Sequence, residues 1–215
     1  MHKLTQRVFD TFGVSELPHG LFYEFDHALR FDLGGVEWGT DRPVQRFWQA
    51  FERADTITRA VFKASDDIWA LLSCYGGETP EPKRLHAISR CGLPRNSFSY
   101  LGAVPQNDEE YIASFGYDLH RHWDAYKLRD TSEIREFLWL MIATDLSVYP
   151  QLSNRRAHQV YLVDFETKTI AYPYDDRGMD VVSMDRHRLE PHFTAFQEWL
   201  LARDMKRMAS RFSIR

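Results

Sequence analysis

The chain has 215 residues, with 44% hydrophobic and 27% charged side chains and a net charge of −4, values that exclude disordered, collagenous and low-complexity classes. Its apolar runs stop after a few residues, as at Phe137–Ala143, far short of the roughly 20 of a membrane span, and Met1–Asp10 lacks a signal-peptide core. One cytoplasmic domain over residues 1–215 is therefore expected, and two cysteines outside any CxxC pattern, Cys74 and Cys91, suit a reducing compartment.

In chain order, Leu29, Phe31 and Leu33 alternate with Arg30 and Asp32 before Gly34-Gly35, which predicts a half-buried strand over Ala28–Leu33. Pro43–Lys63 then carries Val44, Phe47, Trp48, Phe51, Ala54, Ile57 and Val61 at three- and four-residue steps. This is an amphipathic helix, with Asp41 as its N-cap and Pro43 in its first turn. Ile68–Tyr75 reads as a buried strand stopped by Gly76-Gly77. The Pro- and Gly-rich stretch Gly76–Pro105 leaves room for a short helix and a strand near Tyr100–Val104, and the second half of Tyr111–Trp123 reads as another strand.

Asp130 and Glu133 form a capping-box pattern at the head of an apolar helix, Ser132–Leu146, which Tyr149-Pro150 stops. Three strands follow, His158–Phe165, Thr169–Tyr174 and Met179–Val182. They are joined by Glu166-Thr167-Lys168 and by the turn Asp175-Asp176-Arg177-Gly178, where Gly178 is expected to supply a positive φ. A closing helix from about Arg188 to Ser210 places Leu189, Phe193, Phe196, Trp199, Leu200, Met205 and Met208 towards the core, with Pro191 near its start or at a kink. The order of elements gives an α+β fold, a mixed, largely antiparallel sheet with amphipathic helices packed on it.

Leu29-Arg30-Phe31-Asp32-Leu33-Gly34, the Gln45, Gln49-Ala50, Arg53-Ala54 helix, the Tyr-Asp-Asp-Arg-Gly-Met-Asp-Val run at 174–181 and the Phe196-Gln-Glu-Trp-Leu-Leu segment occur in this order. In this the chain resembles a family of uncharacterised bacterial proteins, a domain of unknown function typified by an Arg-Phe-Glu-Leu-Gly strand and a Tyr-Asp-Asp-Arg-Gly signature. The resemblance spans about residues 20–212, with Asp32 where Glu is usual. It implies a bacterial, cytosolic, single-domain protein and brings no activity with it.

The candidate binding residues are Tyr174, Asp175, Asp176, Arg177 and Asp180. Carboxylates on a turn suit a hard divalent cation, yet the same residues can accept backbone N–H bonds and pair with Arg177, bridging Asp175 or Asp180, to fix a tight connection. His120 and His122 share a strand face but have no third ligand in the sequence pattern, so no metal and no cofactor are assigned. GxSxG, HExxH, GxGxxG and P-loop patterns are absent, and no catalytic residue is assigned.

The Phe47, Trp48, Phe51 stripe reads as core rather than as a ligand cavity. Arg203, Lys206, Arg207, Arg211 and Arg215 make the tail basic and the rest of the chain acidic. Interleaved Met205, Met208 and Phe212 make that tail a packed amphipathic helix rather than an RNA or membrane contact. An acidic body argues against nucleic acid and for a basic protein partner. With aromatics at 14% of the chain, the expectation is a non-enzymatic interaction protein, an immunity-type protein that neutralises a basic bacterial toxin domain. The alternative is a metal-dependent hydrolase or nuclease-like enzyme built on Asp175, Asp176 and Asp180.

Overall fold

The computed structural model describes residues 2–106, 109–115, 119–152 and 158–212. Its strands are β1 (Ala28–Asp32), β2 (Ile68–Gly76), β3 (Ser99–Pro105), β4 (His120–Lys127), β5 (Gln159–Asp164), β6 (Thr169–Asp175) and β7 (Gly178–Ser183). They form one sheet in the order β1-β7-β6-β5-β2-β4-β3, antiparallel at every pairing. The helices are α1 (Lys3–Phe12), α2 (Leu21–Glu24), α3 (Pro43–Val61), α4 (His86–Arg90), α5 (Glu109–Phe115), α6 (Ile134–Ile142), α7 (Arg186–Ala195) and α8 (Met205–Phe212). The α+β fold with helices packed on a largely antiparallel sheet is thus the observed one, and no described helix is long and apolar enough to cross a membrane.

The meander β5-β6-β7 is buried along nearly its whole length, as its apolar content requires. Asp164 tightens its first hairpin by accepting the Glu166 N–H at 2.8 Å and the Thr167 hydroxyl. On one face, α6 packs against β5 and β6 and carries α3 on its outer side through an aromatic seam, with the Phe47 and Trp139 rings edge to face at 4.5 Å. Glu133 reaches back as expected of a capping box, but to the N–H of Arg129 at 2.8 Å, while Asp130 accepts from Ser132 N–H.

Several expectations are corrected. β1 is buried on both faces: Phe31 lies edge-on to Phe196, while Arg30 points the other way beneath Phe22 and Tyr23. A charged residue in the alternation therefore marks a paired charge here, not solvent. Asp41 does not cap α3. Arg42 stands at the cap without a side-chain bond, and Pro43 at the first position removes one of the N–H groups a cap would serve.

Gly178 has no positive φ; its lack of a side chain matters because a Cβ would lie 2.6 Å from the Phe31 carbonyl oxygen and against the Tyr174 hydroxyl. The strand expected late in Tyr111–Trp123 is β4, beginning at His120 and running on to Lys127, while residues 109–115 are helical; Tyr117 lies outside the described residues.

The closing helix is two helices. Between α7 and α8 two 3-10 turns, Gln197–Trp199 and Ala202–Asp204, flank the extended pair Leu200-Leu201, where Leu200 bridges Phe31 of β1 and the Leu201 N–H donates to the Arg30 carbonyl at 2.9 Å. This segment covers the outer edge of β1, and it is why Phe193, Phe196 and Trp199 are only partly buried. In α8, Met208 and Phe212 are buried, while Arg207 and Arg211 donate to the carbonyls of Tyr23 and Phe25, so the basic tail packs as an amphipathic helix.

Candidate functional site

The hairpin between β6 and β7 holds all five candidate residues, and its loop is two residues long, Asp176-Arg177, closed by Asp175 opposite Gly178. Each of its carboxylates goes to a different arginine. Asp175 accepts the Arg177 N–H at 2.7 Å and its Nε at 2.8 Å. Asp176 accepts Arg46 Nε at 2.6 Å from α3. Asp180 accepts Arg30 Nε at 2.7 Å, Arg30 Nη2 at 2.9 Å and the Phe22 N–H at 3.0 Å. Arg177 therefore pairs with Asp175 and not with Asp180.

Asp180 is fully buried, and burial pushes its carboxyl above the ordinary carboxylate range against the hydrogen bonds that favour its charge. Burial also pushes the Tyr174 hydroxyl up, with Asp180 adding to the effect and Arg30 opposing it. Asp175 and Asp176 are buried too, so of the charged residues in this hairpin only Arg177 reaches well into solvent, with 71% of its side chain exposed. The carboxylates of the turn thus form an internal brace, with Arg177 facing solvent. Among the described residues, no group of three or more His, Cys, Asp or Glu is placed to hold a metal ion.

What it braces is the loop after β1. Arg46, fixed by Asp176, donates to the carbonyls of Gly35 at 3.3 Å and Trp38 at 3.0 Å. From the same helix Gln49 donates to the Gly34 carbonyl, and Arg53 donates to that of Asp32 at 3.1 Å. The Asp32 carboxylate accepts the Gly35 N–H at 2.8 Å, and the Leu33 N–H reaches the Arg177 carbonyl at 3.0 Å. Gly35 sits at φ +59, where a Cβ would also press on Gln49 and Arg53. The loop is thus held both by α3, the next element in the chain, and by the β6–β7 hairpin, more than a hundred residues further on.

That loop forms a wall of an open cleft of about 890 Å³, lined among others by Glu37, Trp38, Trp48, Glu52, Arg53 and Trp199. Two of its tryptophans are held from behind. Trp48 meets Phe47 edge to face at 5.9 Å and Phe51 at 6.0 Å, and Trp199 stacks on Phe196 at 5.4 Å. Deeper in the cleft, Asp55 accepts Arg135 Nε at 3.0 Å and Nη2 at 2.7 Å. Burial works to raise the Asp55 carboxyl, but Arg135 and Arg59 hold it below the usual range.

The sequence reading placed Trp48 in the core, and the structure corrects this: Phe47 is buried, whereas Trp48 is 50% exposed. The available signal was Glu52 and Asp55, which follow Trp48 by four and seven residues and so share its polar helix face. His120 and His122 do not make a ligand pair. His122 is buried, bonded through Nδ1 to the Tyr100 hydroxyl at 2.8 Å and through Nε2 to the Gly77 carbonyl at 2.7 Å. Cys74 is buried, and burial with the nearby Glu136 carboxylate pushes the Cys91 thiol up to about 11, which leaves it a poor nucleophile at neutral pH.

No curated protein and no solved structure matches the chain. Residues 4–204 match the model of a family described as a domain of unknown function, DUF3885, and the chain belongs to that family.

Proposed function

We propose that the chain is a non-enzymatic interaction protein of the bacterial cytoplasm, of the immunity type, which binds a basic toxin domain through the cleft beside α3. The observation that carries this reading is the cleft itself. Three tryptophans with mixed charge around them stand at an open surface, and the Asp176–Arg46 brace holds the loop that walls it. Tryptophans at an open surface ringed by polar groups, Trp48 half exposed and Trp38 and Trp199 partly buried, are what the energetic centres of protein interfaces are made of. The carboxylates a hydrolase reading would need are each engaged by an arginine, which favours binding over metal chemistry at the hairpin.

The test mixes the purified chain with the product of a neighbouring gene that ends in a basic domain. A stoichiometric complex that is lost in Trp48→Ala supports the proposal. A complex indifferent to Trp48→Ala moves the interface elsewhere. Stoichiometric metal surviving dialysis, and lost in Asp175→Ala or Asp180→Ala, sinks the interaction-only reading.

A further inference from the structure

The charges around the cleft are not evenly satisfied. Asp55 is held bidentately by Arg135 and also accepts Arg59 Nε at 3.2 Å, so its charge is spent. Arg53 is turned towards the β1 end of the loop, where it donates to the Asp32 and Leu33 carbonyls. Glu37 and Glu52 are exposed and, among the described residues, have no ion-pair partner. Arg53 has no carboxylate partner either, but its guanidinium is engaged by those carbonyls, so the lining charges left without a partner of any kind among the described residues are the carboxylates of Glu37 and Glu52.

The tryptophans show a parallel pattern. The Arg42 guanidinium lies 5.7 Å from the Trp38 ring centre and that of Arg53 lies 5.8 Å from Trp199. Trp48 is half exposed, and no guanidinium among the described residues lies over it. Glu52 follows one helical turn later on the same face of α3, and Glu37 comes from the facing loop. A cation resting on an indole and paired with a carboxylate is favoured twice, once by the ring quadrupole and once by charge.

We propose that Trp48, Glu52 and Glu37 form a subsite for one arginine or lysine side chain of the partner protein, with arginine preferred because its planar guanidinium stacks on the indole while its N–H fork reaches a carboxylate. The inference rests on the reading of the cleft as the partner site and assigns the chemistry that the site recognises.

The experiment titrates the full chain by calorimetry with an acetylated, amidated hexapeptide of alternating glycine and arginine. Controls are the same peptide with glutamine for arginine, and cellohexaose as a neutral ligand for aromatic platforms. The expected result is saturable one-site binding of the arginine peptide that weakens as salt rises and falls tenfold or more in Trp48→Leu and in the double variant Glu37→Gln/Glu52→Gln. Glu37 and Glu52 are exposed, so the double variant should keep its thermal midpoint, and Trp48→Leu, which keeps an apolar side chain against Phe47 and Phe51, should lose little of it. Equal binding by the variants would mean diffuse attraction to an acidic protein and overturns the subsite; so does binding of the glutamine peptide or of cellohexaose with equal strength. If Trp48→Ala abolishes the partner complex while Glu37→Gln/Glu52→Gln leaves it intact, the cation subsite falls and the cleft reading stands. If neither change affects that complex, the cleft reading itself falls.

Discussion

Two arginine–carboxylate pairs, one midway along a β-hairpin and one at its tip, do different work. Midway, Arg30 and Asp180 face each other across the β1–β7 register with side chains 8% and 0% exposed. At its tip, Arg177 covers Asp175 from solvent with most of its own side chain in water. The chemistry is the same, and the surroundings decide the outcome. A buried pair is indispensable once present, because removing one member strands the other, whereas at the tip only the carboxylate is buried and it keeps a backbone N–H when the solvated guanidinium is removed.

The sharpest way to break this comparison is Arg30→Ala, which should destabilise the protein by about 3–5 kcal/mol, read as a fall in the urea midpoint. Replacing both partners, Arg30→Met with Asp180→Leu, should recover most of that loss; no recovery would mean that the geometry of the pair, not its buried charge, holds β1 in place. Between the two extremes stands Arg46, half-buried against Asp176. Arg46→Ala should cost about 1–3 kcal/mol and speed proteolysis within residues 34–38, since two loop carbonyls and a carboxylate lose their donor.

Protons sharpen the contrast from another side. Burial lowers the affinity of His122 and His192 for a proton, with Arg84 adding to the effect at His122, so the folded state favours their neutral forms. Unfolded chains take up those protons first, near pH 6.5, and stability should fall as pH drops from there towards the lowered folded values. The loss is at most about 1.4 kcal/mol per pH unit for each histidine. His122→Gln should flatten that slope in pH-dependent denaturation; an unchanged slope would place the titration elsewhere. The smallest effect belongs to the tip: Arg177→Ala should cost below about 1 kcal/mol, because Asp175 keeps the backbone N–H of residue 177. A larger loss would show that Asp175 depends on the guanidinium.

Local signals made much of this architecture readable. The apolar runs at 68–75 and 158–182 and the Phe47-to-Ile57 stripe state their own burial, and the strands and α3 fall where periodicity puts them. The closing helix shows where such reading fails. Phe193, Phe196, Trp199 and Leu200 keep helical spacing, but a long-range hydrogen bond from Leu201 to Arg30 outweighs it. The site was half visible for the same reason. Asp175, Asp176 and Asp180 stood out as a cluster, while their separation onto Arg177, Arg46 and Arg30 depends on contacts spanning up to 150 residues. Trp48 was hidden by its neighbours, since Phe47 and Phe51 make its helix turn look uniformly apolar.

The position of β1 at the rim of the sheet has a consequence for how the chain is made. Among the described residues its only strand partner in the sheet is β7, and its far edge is closed by Leu200. A ribosome that has delivered β1 must add about 150 more residues before β7 exists, roughly 10–30 s at the usual pace of translation. Throughout that interval Leu29 and Phe31 belong to a strand with neither edge occupied, open to chaperones or to a second nascent chain. The first strand of this sheet in chain order is among the last to be secured.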